Sequence, residues 1–330
     1  MKVLFIGGTG IISSGCAPLA IERGIELTLL NRGQSSSRPL PTGASVIHAD
    51  IRDKEATRRA LGEREFDAVV DWVAFTPEHV QTDIELFRGR TKQYVFISSA
   101  SAYQTPPQAL PVTEATPLRN PFWEYSRNKI ACEDLLVAAW RNEAFPSTII
   151  RPSHTYDRTL LPFDYGTTVL DRMRRGKPVI IHGDGTALWT LTNHRDFAVG
   201  LVGLLGNPRA VGDVFQITSD EWLSWNQIYG LVAGAAGCTP DFVHIPSDFI
   251  AGFDPEWGAG LLGDKSHSMI FDNTKLKRLV PDYHCTIPFA QGAKEIVAWY
   301  DAHPEACVVD AKADATMDRI VAAYRSVFPR

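Results

Sequence analysis

The sequence predicts an α/β fold, a doubly wound parallel sheet with a smaller C-terminal α/β part, and three observations carry that expectation. Val3–Ile6 is a short, wholly apolar run, as a strand buried on both faces requires, and Gly7, Gly8 and Gly10 follow it at once. Further apolar runs of strand length then alternate with helical segments over about 100 residues, the pattern of a parallel sheet covered by helices. Composition agrees: of 330 residues, 45% are hydrophobic and 22% charged, which is ordinary for a globular chain of one large or two modest domains.

The glycine turn leads into Cys16–Gly24, a helix that must hold Pro18 in its first turns. Strand, turn and helix together make a dinucleotide site. The glycines admit a pyrophosphate to the backbone, and the free N–H groups at the helix start, with Gly7, Gly10, Ile11 and Ile12 around them, bind its charge. Ser13 stands where the fingerprint has Gly or Ala, so a slight shift in helix packing is expected. Ile25–Leu30 is the second strand and ends at Asn31-Arg32-Gly33. At that strand end an acid would bond the ribose of NAD, whereas an arginine accommodates the 2′-phosphate of NADP. Asn31 replaces the acid, Arg32 is next to it and Ser35, Ser36 and Ser37 follow, so NADP is favoured over NAD.

Ala44–Ala49 is the third strand, ending at Asp50 and Ile51. Asp50 is placed either to meet the adenine edge or to cap the helix over Lys54–Leu61. Ala68–Val73, followed by Ala74, is the fourth strand, and Gln93–Ile97 the fifth, with a helix between them. Ligands of such sheets bind outside the carboxyl ends of the strands, where the glycine turn, Asn31, Arg32, Asp50 and Ala74 all fall. Ser98, Ser99 and Ser101 leave the fifth strand. Downstream, Tyr125 and Lys129 lie four apart in a helical segment and therefore share a face. A phenol with pKa near 10 is a poor base at neutral pH, and an ammonium one turn away favours its phenolate. Ser99 would then hold a substrate oxygen while Tyr125 moves its proton.

In combination and order, Gly7-Gly-Thr-Gly10, Asp50, Ser98-Ser99, the Tyr125/Lys129 pair and Arg151-Pro152 resemble the extended short-chain dehydrogenase/reductases, the NAD-dependent epimerase/dehydratase family. The likeness runs through nearly the whole chain. It implies a Rossmann-type NAD(P)-binding part over residues 1–150 and a mainly substrate-binding part over 151–330, some segments of which return to the sheet. It implies catalysis by Ser99, Tyr125 and Lys129, cofactor contacts from these last two and from Pro152, and substrate contacts from Ser101, His154 and Trp189. It also implies a homodimer formed through the helix that carries Tyr125 and its neighbour.

Two departures narrow the substrate. Nucleotide-sugar members carry an arginine shortly after the Gly-Asp-Gly-Thr run at 183–186, where this chain has Trp189, and another just before a Gly-Asp, where it has Gly260-Leu-Leu-Gly-Asp264. Neither Trp nor Leu grips a diphosphate as a bidentate guanidinium does, although Lys265 and His267 could compensate in part. The resemblance therefore implies hydride transfer at a secondary alcohol of a sugar-like or other small polar substrate, the alternatives being a nucleotide-sugar 4-epimerase or a non-catalytic RNA-binding protein. Dehydration is disfavoured because Ala100 and Ser101 stand where dehydratases keep an acidic pair. The spacing after Gly183, the missing arginines and the Asn-Arg-Gly turn are also similar to the chloroplast stem-loop-binding proteins.

A net charge of −5 and a pI near 6.0 argue against a nucleic-acid partner. Five scattered cysteines and the lack of metal-ligand spacing predict reduced thiols, no metal and a cytoplasmic protein. Neither a signal peptide nor a membrane span is expected. The basic stretch Asp171–Gly176 reads as a solvated helix end, and Asp241–Ile250 with Glu256 and Trp257 as the lip of the pocket.

Overall fold

The apolar runs do become buried strands, and their order defines the molecule. A computed structural model describes residues 1–34 and 38–327, so Ser35, Ser36 and Ser37 lie outside the described residues. Strands β1 (Lys2–Ile6), β2 (Glu26–Asn31), β3 (Ser45–His48), β4 (Ala68–Asp71), β5 (Tyr94–Ile97) and β6 (Ser147–Pro152) all pair in parallel. Their helices are α1 (Ser13–Glu22), α2 (Lys54–Leu61), α3 (Pro77–Phe87) and α4 (Glu124–Glu143). The chain then runs through β7 (His154–Tyr156), α5 (Gly166–Arg174), β8 (Val179–His182), β9 (Leu188–Trp189), β10 (Leu191–Asn193) and α6 (His194–Leu204). Next, β11 (Val214–Ile217) returns to the main sheet, giving the order β11-β6-β5-β4-β1-β2-β3.

The order reverses beside β1, so β1 and β4 diverge into the crevice where ligands of open α/β sheets bind. Val3, Phe5, Leu4 and Ile6 are wholly buried because side chains from both faces of β1 meet helices. The remaining elements are β12 (Leu223–Ser224), α7 (Trp225–Ala235), β13 (Phe242–Ile245), α8 (Ser247–Ala251), α9 (Pro255–Gly260), α10 (Thr274–Leu279), α11 (Phe289–Ala302) and α12 (Ala311–Ser326). Except for α10, whose Leu276 packs into the sheet-side core, they enclose a separate core that includes Trp225, Tyr229, Phe289 and Ile320. At α7 the serine before the helix forms a full capping box: Ser224 Oγ accepts from Gln227 N, and Gln227 Oε1 accepts from Ser224 N.

Two local expectations are corrected. First, the cap of α2 is Asp53, whose carboxylate accepts from Ala56 N at 2.9 Å, while Asp50 closes its own turn on Arg52 N. Second, the end of α5 is not simply solvated. Arg172 is completely buried there and bonded to Asp314 and Asp318 of α12, so this arginine fastens the last helix to the body. The burial of its stem and the two carboxylates decide this, and neither could be read from the local sequence. Ser13 is itself buried where the chain enters α1. Its Oγ accepts from Gly10 N at 2.8 Å, and the close helix contact is made two residues on. A Cβ at Gly15 would stand 2.4 Å from His194 O, which is how α1 and α6 come so near.

Candidate active site

Gly7 and Gly8 turn the chain out of β1 with φ of 95° and 89°, a region that residues with a Cβ rarely enter. Gly8 also packs so tightly that a Cβ would meet Leu29 Cδ2 at 2.7 Å. The turn therefore presents bare backbone above the sheet crevice, with Gly10, Ile11 and Ile12 next in line before α1. At the end of β2, Asn31 Oδ1 accepts from Gly33 N at 3.0 Å and Arg32 is exposed. Ile51 is buried in the core beneath Asp50. These groups suit a dinucleotide: a side-chain-free cradle at a helix start, and a cationic side chain at the ribose-reading strand end.

Ala74 ties this strip to the next group. Its carbonyl accepts from Lys129 Nζ at 2.7 Å, and Ile97 O accepts from the same ammonium at 2.8 Å. Lys129 also lies 4.8 Å from the ring centres of Phe75 and Phe96, and 5.7 Å from that of Tyr125. Burial draws its pKa down to about 8. Burial likewise pushes the Tyr125 phenol up to about 12, against the pull of a hydrogen bond with Ser99. The sequence argument expected Lys129 to lower this phenol. In the protein alone burial outweighs the hydrogen bond with Ser99.

A cavity of about 180 Å³ opens beside these residues. Ser99, Ser101, Tyr125, Pro152, His154 and Trp189 all line it. Ser101 is already engaged: its Oγ lies 2.9 Å from Ser99 Oγ and accepts from Ser126 Oγ at 2.7 Å. His154 Nε2 and Trp189 Nε1 are buried without a hydrogen-bond partner. Burial holds His154 down at about 4, with the Lys265 ammonium acting in the same direction, so the ring is neutral at pH 7.

The lip is not where the sequence placed it. Trp123, Asp264, Met269 and Phe271 complete the lining, while Trp257 packs edge-on against Tyr165 at 5.5 Å and Glu256 is exposed. Nor does Lys265 face outward for an anion: it is buried between Asp164 and Asp264, at 3.6 and 3.8 Å. Asp264 is the residue that sequence reasoning passed over. Its signal was present, since it follows the glycine that the resemblance uses to locate a missing arginine, but only folding brings it opposite Tyr125.

A parallel sheet with a glycine turn after β1 is the fold of the short-chain dehydrogenase/reductase class of nucleotide-dependent enzymes. Residues 3–218 match the NAD dependent epimerase/dehydratase family, and the chain belongs to it. The chain is 28% identical over 289 residues to the 2′-dehydrokanamycin reductase of Streptomyces kanamyceticus, covering 86% of this chain and 80% of that protein. It is 26% identical over 265 residues to chloroplast stem-loop binding protein of 41 kDa b of Arabidopsis thaliana, covering 75% and 67% of the two chains. Its fold is shared with a UDP-glucose 4-epimerase from Bifidobacterium longum solved with NAD+ and UDP. There the TM-score is 0.74 at 18% identity, over 93% of this chain and 100% of that one.

Proposed function

We propose that the protein oxidises or reduces a secondary alcohol or ketone of a small, sugar-like substrate, using NADP in preference to NAD. The observation that carries this reading is the meeting of Ser99 and Tyr125 at one end of the 180 Å³ cavity, with Lys129 one helical turn behind the phenol. When bound, the nicotinamide supplies the acceptor or donor of the hydride. Ser99 orients the reacting oxygen. Tyr125 gives or takes the proton at that oxygen. Lys129, anchored on Ala74 O and Ile97 O, adds positive charge that stabilises the phenolate as it forms. The glycine turn would hold the pyrophosphate, Asp50 and Ile51 would meet the adenine, and Pro152 would border the nicotinamide.

Assaying the purified protein with NADP(H) and NAD(H) against ketones and alcohols of free sugars tests this. Net cofactor reduction or oxidation is expected, and the Tyr125→Phe protein should bind cofactor without turnover. A UDP-sugar 4-epimerase is the second reading, favoured by the shared fold. Against it stand the small cavity, Trp189 and Asp264, because a diphosphate calls for guanidinium groups. Tightly held NAD that shows no net reduction, together with UDP-galactose formed from UDP-glucose, would favour that reading instead. The likeness to a stem-loop-binding protein raises RNA binding as a role, and the net charge of −5 together with the retained Tyr125/Lys129 pair weighs against it. We further propose a homodimer through α3 and α4; light scattering at the mass of one chain would refute it.

A further inference from the structure

The cavity's charge says more about the substrate than its size does. Besides Tyr125, its lining holds just two ionisable side chains, His154 and Asp264, and the first is neutral at pH 7. Asp264 arrives on a π-helical turn, Leu261–Lys265, an irregularity found mostly at functional sites. The turn is held firmly: Asn120 Nδ2 donates to Gly263 O at 2.6 Å, and a Cβ at Gly263 would stand 2.7 Å from Trp123 Cβ. The Asp264 carboxyl is thus built into the wall and does not sit on a free loop.

The nearest cation to Asp264 does not neutralise it. Lys265 Nζ stands 3.8 Å from Asp264 and 3.6 Å from Asp164, so two carboxylates share one ammonium and one negative charge is left over. No lysine or arginine lines the cavity among the described residues. Burial pushes the Asp264 carboxyl up to about 6, with Lys265 opposing and Asp164 adding, so at pH 7 it is ionised and poorly solvated. A carboxylate in that state gains from a cation, and the walls beside it, Trp189 and Phe271, are apolar rings that favour a cation further. A diphosphate would meet the wrong sign. His154 and Trp189 also line the cavity, but their orphaned nitrogens are closed to water.

We propose that the cavity selects an amine-bearing carbohydrate or aminocyclitol, its ammonium held by Asp264. This rests on the oxidoreductase reading only for which end of the ligand reacts. The test is calorimetric titration of the NADP-loaded protein with glucosamine, 2-deoxystreptamine, their N-acetylated forms and UDP-glucose. Each free amine should bind about 10- to 100-fold more tightly than its acetylated form. Asp264→Asn should bring the two within about threefold, while Asp164→Asn should keep the preference. Equal binding of amine and acetamide, tighter binding of UDP-glucose, or no binding of either amine would overturn the proposal, and these wild-type comparisons need no variant to fold. Turnover of neutral sugars with equal amine and acetamide binding would leave the oxidoreductase standing without amine selection. Amine binding lost in Asp264→Asn, with no hydride transfer to any ketone, would do the reverse.

Discussion

The two ends of the cavity handle polar groups in opposite ways. At the sheet end, the charged and hydroxyl groups around Lys129 and Arg151 find partners within the protein, although Asp71 Oδ2, Trp72 Nε1 and Asp83 Oδ1 do not. Lys129 rests on two carbonyls. Arg151 grips Glu133 with its Nε at 3.0 Å, and Ser98 donates to the same carboxylate. The Arg151 guanidinium also stacks 4.7 Å from the Tyr103 ring centre. At the far end, His154 Nε2 and Trp189 Nε1 have no partner, and Asp264 has half a share in one lysine. A buried polar atom without a hydrogen bond costs about 1–3 kcal/mol. The sheet end is built for folding and proton transfer, the far end for recognition.

Substitutions should split along that line. The largest effect is expected from Tyr125→Phe: kcat falls about 10²- to 10⁴-fold, up to ~5 kcal/mol, with cofactor Kd changed by less than about threefold. Steady-state rates and cofactor fluorescence would read both, and retained turnover would remove Tyr125 from the chemistry. Arg151→Met comes next. It strands the buried Glu133 carboxylate and should cost about 3–5 kcal/mol in urea unfolding. A loss below about 1 kcal/mol would mean the sheet end is less tightly satisfied than the bonds imply.

His154→Leu probes the other end. Removing an orphaned nitrogen should leave stability within about 1 kcal/mol of wild type or above it, while KM rises about tenfold. The pH dependence has a definite sign. His154, His182 and His194 are each drawn down to about 4, mainly by burial, below the ordinary value of 6.5. Their neutral forms support the fold fully above pH 6.5, and that support drains away as pH falls from 6.5 toward 4, because the unfolded chain takes up the protons first. Thermal melts across that range should decline less steeply in His154→Leu, by roughly one proton. An unchanged slope would place this ring in water. The smallest effect is expected at the exposed Arg32. Arg32→Ala should weaken NADP about tenfold and NAD by less than about twofold, and an equal loss for both would assign Arg32 to the adenine.

Much of this was legible in the linear chain because local rules produce it. Apolar runs of strand length must be buried, a glycine turn between strand and helix exposes backbone, and a four-residue spacing puts Tyr125 and Lys129 on one helix face. The lysine's actual posture was not legible. Spacing brings it near the phenol, but the carbonyls of Ala74 and Ile97, 55 and 32 residues away, decide where its charge sits. Arg172 was misjudged for the same reason, since its carboxylate partners lie 142 and more residues further on.

The sequence by itself determined the parallel sheet, the cradle after β1 and the candidate proton-transfer group, since periodicity, turn chemistry and spacing are properties of neighbouring residues. Tertiary structure decided how the recognition wall is completed around His154 and Trp189, which the family resemblance had implied. Trp123, His154, Trp189, Asp264 and Phe271 come from separate segments, and no local pattern reveals that they converge. Their surplus negative charge and unpaired nitrogens exist only once burial has removed water and fixed which partners are out of reach.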